Sequence, residues 1–173
     1  MKKKLLFMIA VFIVSGVFFS VYAMPEKTQE TATIYTVDNQ SFILFADKVT
    51  IQYEKNNIDD KANQLIKALA ASINFSLQDD GLFPNVKDGI TVHVYKKTAT
   101  VDFSKDFANH HSGGTLCERM TIYSIVNTLT SMPEVNKVKF LVNGKENGEL
   151  SGHMDLNETY TFSPEYICSS DDQ

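Results

Sequence analysis

Apolar residues recur at helical spacing in two segments of the chain. In each segment they lie three or four positions apart, which places them on one side of an α-helix. The first stripe consists of Ala62, Leu65, Ile66, Leu69 and Ile73. The second stripe consists of Ile122, Ile125, Val126 and Leu129. Pro133 disfavours helical geometry at the residue before it, so we expect the second helix to end near Thr130.

Shorter segments alternate between apolar and polar residues, which is typical of half-buried strands. The predicted strands cover residues 32–37, 42–45, 49–53, 90–95, 99–103, 138–142 and, as a short edge strand, 159–162. Residues 49–53 continue the second strand past a kink, and Lys96 with Lys97 forms a tight turn. The resulting order ββαββαβ predicts an α+β fold, in which two helices pack on one face of a mixed β-sheet.

The N-terminal residues have the three parts of a secretory signal peptide. Lys2, Lys3 and Lys4 precede an apolar run over residues 5–19, and small residues end the segment at Ala23. An uncleaved membrane anchor is the alternative, because the apolar segment is close to the ~20 residues that span a bilayer. Either reading predicts an extracytoplasmic protein.

The remaining residues are predicted to form one domain with a short extension at each end. Residues 24–31 are polar and read as a flexible lead-in, residues 32–163 form the domain, and residues 164–173 form a polar C-terminal tail. Removal of residues 1–23 leaves 173 − 23 = 150 residues, which is enough for one domain with a sizeable core.

The charge of the chain argues against one class of partner. The chain has 16 Lys and Arg and 21 Asp and Glu, and the signal segment removes three Lys, which leaves 13 − 21 = −8. Nucleic-acid binding needs several basic side chains that converge on phosphates. We therefore predict no nucleic-acid partner.

The N-terminus of the second helix carries a capping-box pattern. Thr115 and Glu118 lie three positions apart, and in a capping box each side chain accepts from the backbone amide of the other residue. This pattern predicts a structural role for Glu118.

A set of residues between positions 100 and 156 keeps a specific order and spacing. Its members are Val101, Asp102, Phe103, Ser104, Glu118, Val126, Asn127, Thr128, Leu129, Thr130, Val135, Val138, Gly144, Gly152, His153, Met154, Asp155 and Leu156. In this order and spacing the chain resembles the GerMN domain of bacterial sporulation and spore-germination proteins. Asn127 and Thr128 are poor helix formers inside a helix, which suggests helix–sheet hydrogen bonds or a partner surface.

The resemblance implies a small βαββαβ-type module, similar to the ring-building folds of envelope assemblies. It implies assembly or stabilisation of membrane-associated complexes, with other envelope or sporulation proteins as partners and homo-oligomers by analogy. It implies no cofactor. GerMN proteins are often lipoproteins, whereas this chain has no Cys directly after its apolar N-terminal run, where a lipid would be attached.

Two cysteines, Cys117 and Cys168, form a candidate disulfide. An even number of cysteines in an exported protein favours pairing, and the bond would close a loop of about 50 residues and contribute roughly 4 kcal/mol. Two separate thiols are the alternative. Cys117 also lies in the first turn of a predicted helix, where a thiol can become nucleophilic; His110 or His111 would be its base. A disulfide or a packed thiol is the preferred reading.

The other polar residues that could carry chemistry have simpler structural readings. His110 and His111 are predicted to be solvated loop residues rather than metal ligands, and His93 a residue on a sheet face. His153 and Asp155 could form an acid–base pair on one strand face, but a local bend and cap is preferred. Residues 112–115 read as a loop-to-helix turn with weak anion affinity at most. We predict no catalytic, cofactor or metal site.

These observations favour an exported, non-enzymatic module of the cell envelope that binds proteins through a sheet edge or hairpin. A cell-wall glycan or peptide-binding accessory is the first alternative, and it would use exposed aromatic side chains for peptidoglycan contact. The candidates for that role are Tyr35, Tyr53, Tyr95 and Phe83. A wall hydrolase is the second alternative, and it requires reactive side chains to meet in a cleft.

Overall fold

In the computed structural model, two long helices contact both a β-hairpin and a three-stranded sheet. The structure describes residues 10–14, 17–21, 25–38, 41–77, 82–86, 88–146 and 150–168. Ala10–Val14 (β1) and Val17–Val21 (β2) pair antiparallel. In these described ranges no helix is both long and apolar enough to cross a bilayer.

A long antiparallel hairpin follows this segment. Its strands are Lys27–Val37 (β3) and Leu44–Glu54 (β4), and the register runs from Lys27 opposite Glu54 to Val37 opposite Leu44. The strand therefore begins before residue 32, and the later part of the expected flexible lead-in at residues 24–31 is paired. The expected kink in the second strand is also wrong, since β4 is continuous from Leu44 to Glu54.

The first long helix, Ile58–Leu77 (α1), begins after an Asn cap. Asn57 Oδ1 accepts from the Asp60 backbone N–H at 3.0 Å, which satisfies one of the free amides of the first turn. The five residues of the predicted stripe are all buried: Ala62, Leu65, Ile66, Leu69 and Ile73. Helical periodicity therefore predicted the core-facing side of α1.

The three-stranded sheet consists of Ile90–Tyr95 (β5), Thr98–Phe103 (β6) and Lys137–Val142 (β7). β5 and β6 are antiparallel, and β6 and β7 are parallel. Lys96 and Lys97 connect the first two strands with φ values of 47° and 63°. Two positive φ angles are typical of a type I′ hairpin turn, so the predicted tight turn is confirmed.

Two helices lie between β6 and β7. Lys105–His110 (α2) includes His110, which was predicted to lie in a loop, and Ser104 Oγ caps this helix by accepting from the Phe107 N–H. Thr115–Thr130 (α3) is the second long helix and ends where the sequence predicts. The sequence pattern does not predict α2, because a helix of six residues is too short to show a periodic apolar stripe.

Stacked aromatic side chains connect α2 to the sheet. The Phe103 ring lies 4.9 Å from that of Phe107 and 5.6 Å from that of Phe140, measured between centroids, and all three rings are buried. Large buried aromatic side chains contribute strongly to core stability. They hold α2 against β6 and β7.

The α+β class is confirmed, and the order from β3 to β7 is the predicted ββαββαβ with α2 added. The strands from β3 onward nevertheless form two separate sheets instead of one mixed sheet. The reason lies at the outer edge of β3. There the Tyr35 N–H donates to Thr128 Oγ1 at 2.9 Å, and Thr33 O accepts from Ser131 Oγ at 3.1 Å, so α3 and its C-terminal cap occupy the place of a neighbouring strand.

The C-terminal segment packs on both sheets. Instead of an edge strand at residues 159–162 there is a single bridge from Tyr160 to Val138. A 3₁₀ turn at Pro164–Tyr166 follows, and the Cys168 N–H donates to Leu44 O at 2.9 Å. The ordered unit therefore extends past residue 163, where the polar tail was expected to begin.

Side chains of α1 cover the outer edge of β5. Asn63 accepts from the Val92 N–H at 2.9 Å and donates to Val92 O at 2.7 Å. Asp59 accepts from the Val94 N–H at 2.7 Å, and its second oxygen lies 2.7 Å from His93 Nδ1. His93 is thus an exposed sheet-face residue that contacts a carboxylate.

We expect Asn63→Ala to lower the free energy of unfolding by about 1–2 kcal/mol, because it leaves the Val92 N–H and C=O without their partners. Urea denaturation followed by circular dichroism measures the change. Gln64→Ala is the matched control on the same helix, since among the described residues its side chain bonds only to Asp60, and it should cost less than about 0.5 kcal/mol. Equal losses in the two variants would contradict the role of Asn63.

Candidate functional site

Glu118 is buried and holds the segment that closes the domain. Its side chain has no exposed surface, and its two carboxylate oxygens accept from the backbone N–H groups of Ser151 at 3.3 Å and His153 at 2.9 Å. Gly152, with φ of 80°, makes the bend between these two donors. A carboxylate with two backbone donors is a strong local anchor.

The predicted capping box is therefore wrong. The N-cap of α3 is Gly114, no side chain caps the helix, and Thr115 is the first helical residue. Two backbone donors from a segment more than thirty residues away use the Glu118 carboxylate instead. The structural role of Glu118 stands, but its partner is distant in sequence.

Asn127 and Thr128 act in the same way near the other end of α3. Asn127 donates to Ser163 O and accepts from the Ser163 N–H, both at 2.9 Å, so one amide satisfies both backbone groups of a residue. Thr128 accepts from the Tyr35 N–H of β3. Both side chains are fully buried, and the neighbouring Leu129 lies in the apolar core.

The remaining members of the motif in β6 and β7 also have structural contacts. Val101 and Phe103 point into the core. Asp102 accepts from the Gly144 N–H at 2.9 Å, and Asn143 and Gly144 have the positive φ angles of a tight turn, 53° and 73°. An Asn-Gly pair predicts such a turn from sequence alone, the structure contains it, and Asp102 connects it to β6.

His111 is buried, which corrects its predicted position in a solvated loop. Its Nδ1 accepts from the Gly113 N–H at 3.2 Å and lies 2.9 Å from Ser151 Oγ. Its Nε2 lies 2.9 Å from Thr121 Oγ1 on α3. Burial lowers the pKa of His111 from 6.5 to about 4, so the imidazole is neutral at pH 7 and connects α2 to α3 and the closing segment.

The other candidate catalytic side chains lie apart from one another. His110 is exposed, and its Nδ1 contacts Asp106 O at 2.8 Å in the same short helix. His153 is exposed, and Asp155 accepts from the backbone and side chain of Asn157 rather than contacting His153. In the described part of the chain, no group of three or more His, Cys, Asp or Glu residues is placed to hold a metal ion.

The structure contains Cys117 and Cys168 as half-buried thiols that are not joined to each other. Cys117 packs against the apolar core, and His111, its expected base, bonds to Ser151 and Thr121 instead. The nucleophile hypothesis therefore has no geometric support at this position.

The four aromatic candidates for glycan contact do not form an exposed row. Phe83 is buried, Tyr35 packs edge-on against Phe162 with ring centroids 5.7 Å apart, and Tyr53 donates to Glu30 at 2.8 Å. Tyr95 alone among the four is well exposed, with 65% of its surface accessible. Peptidoglycan contact remains a prediction.

Lys61 is a buried ionic centre that the sequence pattern missed. Lys61 comes just before Ala62, the first residue of the apolar stripe, and the helical pattern predicts it on the solvent-facing side of α1, yet it is 5% exposed. Its Nζ lies 2.9 Å from Glu30 and 3.3 Å from Glu134. Burial opposes the charge, but the two carboxylates outweigh that effect and raise the pKa of Lys61. This cluster connects β3, α1 and the residues after α3.

A small pocket of about 180 Å³ opens beside α1 and β5. Its apolar lining includes Ile66, Phe83, Val86 and Phe107. Residue 89 must be a glycine for this lining to pack as it does, because a Cβ there would lie 2.6 Å from a Val86 methyl group. The pocket holds none of the motif residues.

A comparison with family models matches residues 33–148 to Germane, described as "Sporulation and spore germination". The matched span runs from within β3 to past the end of β7 and includes most of the motif. The chain belongs to the Germane family. The GerMN resemblance of the sequence is thereby confirmed. Glu118, Asn127 and Thr128 lie within the matched span, so their contacts are contacts within a Germane domain.

Solved structures share the Germane fold with this chain. A candidate lipoprotein from Clostridium perfringens is 19% identical with a TM-score of 0.51, and the match covers 78% of this chain and 87% of that one. Tandem GerMN domains of the sporulation protein GerM from Bacillus subtilis are 20% identical with a TM-score of 0.50, with 81% of this chain and 48% of that chain covered. A comparison with curated proteins found no match.

We expect Glu118→Gln to lower the free energy of unfolding by about 1–3 kcal/mol, because the amide can accept at only one of the two positions. Hydrogen exchange should accelerate at the Ser151 and His153 amides, which the carboxylate protects. Glu158→Gln, at an exposed position, is the matched control. Unchanged exchange at both amides would count against the anchor.

We expect acid to weaken the fold through His111. Its folded pKa lies below its unfolded value, so the unfolded chain binds more protons, and stability falls as pH drops from about 6.5 to about 4. His111→Gln keeps hydrogen bonds without titrating, so the wild type should lose up to roughly 3 kcal/mol more than this variant over that window. Urea titrations at several pH values measure the difference, and His110→Gln should behave like the wild type.

Proposed function

We propose that this chain is an exported, non-enzymatic protein-binding module that serves the sporulation or germination machinery in the bacterial cell envelope. Membership of a sporulation and spore germination family supports the biological setting. The basic and apolar N-terminal segment supports export. The fold likeness to a candidate lipoprotein and to GerM is consistent with a place at the envelope.

One observation carries the non-enzymatic part of the proposal. Three polar side chains of the motif hold backbone groups: Glu118 holds residues 151 and 153, Asn127 holds Ser163, and Asp102 holds Gly144. A side chain that holds the fold in this way is not available for proton transfer or nucleophilic attack on a substrate. The motif residues therefore maintain the shape of the domain. A domain surface of fixed shape is suited to assembly with other proteins.

A combined variant tests the enzyme alternative in spores of the native host. Cys117→Ser, His153→Ala and Asp155→Asn together remove the candidate nucleophile and acid–base pair, and we expect sporulation and germination within about twofold of the wild type, because these changes leave the buried anchors in place. Plating efficiency after heat treatment measures the effect in a strain that lacks the original gene.

Glu118→Gln is the comparison strain for that experiment, and it should reduce spore function by lowering the amount of folded protein. In vivo crosslinking of the wild type should capture envelope proteins in the same cells. A combined variant that folds normally by circular dichroism and yet abolishes spore function would favour the hydrolase.

A further inference from the structure

Three strand edges in the described part of the chain, those of β3, β5 and β7, are covered. Asn63 and Asp59 occupy the edge of β5, and Thr128 with Ser131 occupies the edge of β3. The edge of β7 is bridged by Tyr160 at one end and by a tight turn at the other. Uncovered edges invite pairing with other chains, and folded proteins usually block them.

The outer edge of β4 differs from these edges. The hydrogen bond from the Tyr35 N–H to α3 places odd-numbered β3 residues outward, and the register then places even-numbered β4 residues outward. At the two ends, Leu44 O accepts from the Cys168 N–H at 2.9 Å, and the Glu54 N–H donates to Asp60 at 2.6 Å. Both end positions are thus filled.

Four outward residues remain between the filled ends: Ala46, Lys48, Thr50 and Gln52. All four are exposed. Across the described ranges, no backbone hydrogen bond outside the hairpin reaches them. This stretch, named here the open edge, presents N–H and C=O groups at the spacing of a strand that lacks a neighbour.

The middle of the open edge carries two charges without an opposite charge beside them. Asp47 accepts from Thr36 Oγ1 at 2.5 Å, and Lys48 donates to Thr33 Oγ1 at 2.7 Å. Neither forms an ion pair with a residue that the structure describes. Because successive residues of a strand point to opposite faces, Asp47 marks one face of the hairpin and Lys48 marks the other.

We propose that the open edge binds an extended peptide segment of a partner protein as an added antiparallel strand. The segment carries an acidic residue opposite Lys48 and, as its next residue, a basic residue opposite Asp47. Directly opposed residues share a face in an antiparallel pair, so each charge meets its complement. This inference rests on the proposed protein-binding function and names the surface and the partner chemistry.

The neighbours of the two charges define the rest of the segment. Val49, half-buried, lies on the Asp47 face and favours a β-branched residue just before the acidic one. Phe45, with 36% of its surface exposed, lies on the same face and favours an apolar residue two positions after the basic one. A matching hexapeptide is Thr-Val-Glu-Lys-Thr-Val, which pairs from residue 50 to residue 45.

A second copy of this chain fits the open edge poorly. β4 has 11 residues, whereas the stretch from 46 to 52 has seven, so a partner β4 would run into Cys168 or into the Asp60 contact. Only even-numbered β4 residues point outward, so the symmetric pairings nearest the charges place Asp47 opposite Asp47 or Lys48 opposite Lys48. Like charges directly opposite each other are destabilising.

Titration of the ¹⁵N-labelled full chain in detergent with the acetylated and amidated hexapeptide tests the proposal. We expect saturable shifts and slower exchange at the amides of 46, 48 and 50, which face the peptide, and little change at 47 and 49, whose amides already bond to β3. The peptide Thr-Val-Lys-Glu-Thr-Val has the same composition with the charges exchanged, and it should bind about tenfold more weakly. Equal binding of the two peptides, or shifts confined to other strands, overturns the proposal.

Thr50→Pro removes one outward N–H and leaves the bonds to β3 in place, since proline is tolerated at strand edges. We expect it to fold and to lose peptide binding at least tenfold, whereas Thr50→Ala should bind like the wild type. If Thr50→Pro folds and binds the peptide normally, the open edge is not the site. If it loses peptide binding yet still captures envelope proteins in cells, the protein-binding function stands and the native partner binds elsewhere, which refutes the assignment of this surface.

Discussion

Hydrogen bonds from helix side chains to distant backbone groups hold this fold together. A short polar side chain on α1 or α3 reaches a strand edge or an irregular segment and satisfies groups that no ladder satisfies. Asn63 does this for β5, Thr128 for β3, Asn127 for the C-terminal segment and Glu118 for the closing segment. Because a buried backbone group without a partner costs about 1–3 kcal/mol, these contacts decide where each segment can lie.

This arrangement explains why α3 departs from the usual amphipathic helix. Its buried residues include Glu118, Thr121, Ser124, Asn127 and Thr128 alongside the apolar ones. The helix lies against β3, β7 and the C-terminal segment, so nearly every side faces protein. Polar residues are tolerated there because each has a partner, and three of them, Glu118, Asn127 and Thr128, belong to the motif that carries the GerMN resemblance.

The same hydrogen bonds also mean that these polar side chains of the motif stabilise the fold rather than react with a substrate. The side chains of Asp102, Glu118, Asn127 and Thr128 hold backbone groups, and His111 is kept neutral within a buried network. The surface of the protein is therefore the part that is available for interaction. The open edge of β4 differs from the edges of β3, β5 and β7, because its two ends are covered and the four outward residues between them are not. A protein of this design can act by presenting a strand to a partner.

Periodicity by itself determined the two long helices, their buried stripes, most of the strands and the tight turns at Lys96 and at Gly144. Those features depend on neighbours within a few residues, and a local pattern reports them. The order of motif residues likewise identified the family. The partners of Glu118, the burial of His111 and Lys61, and the division of the strands into two sheets arise between segments thirty or more residues apart. Only the tertiary structure could decide them, because a carboxylate or imidazole in the sequence does not show which distant backbone will reach it.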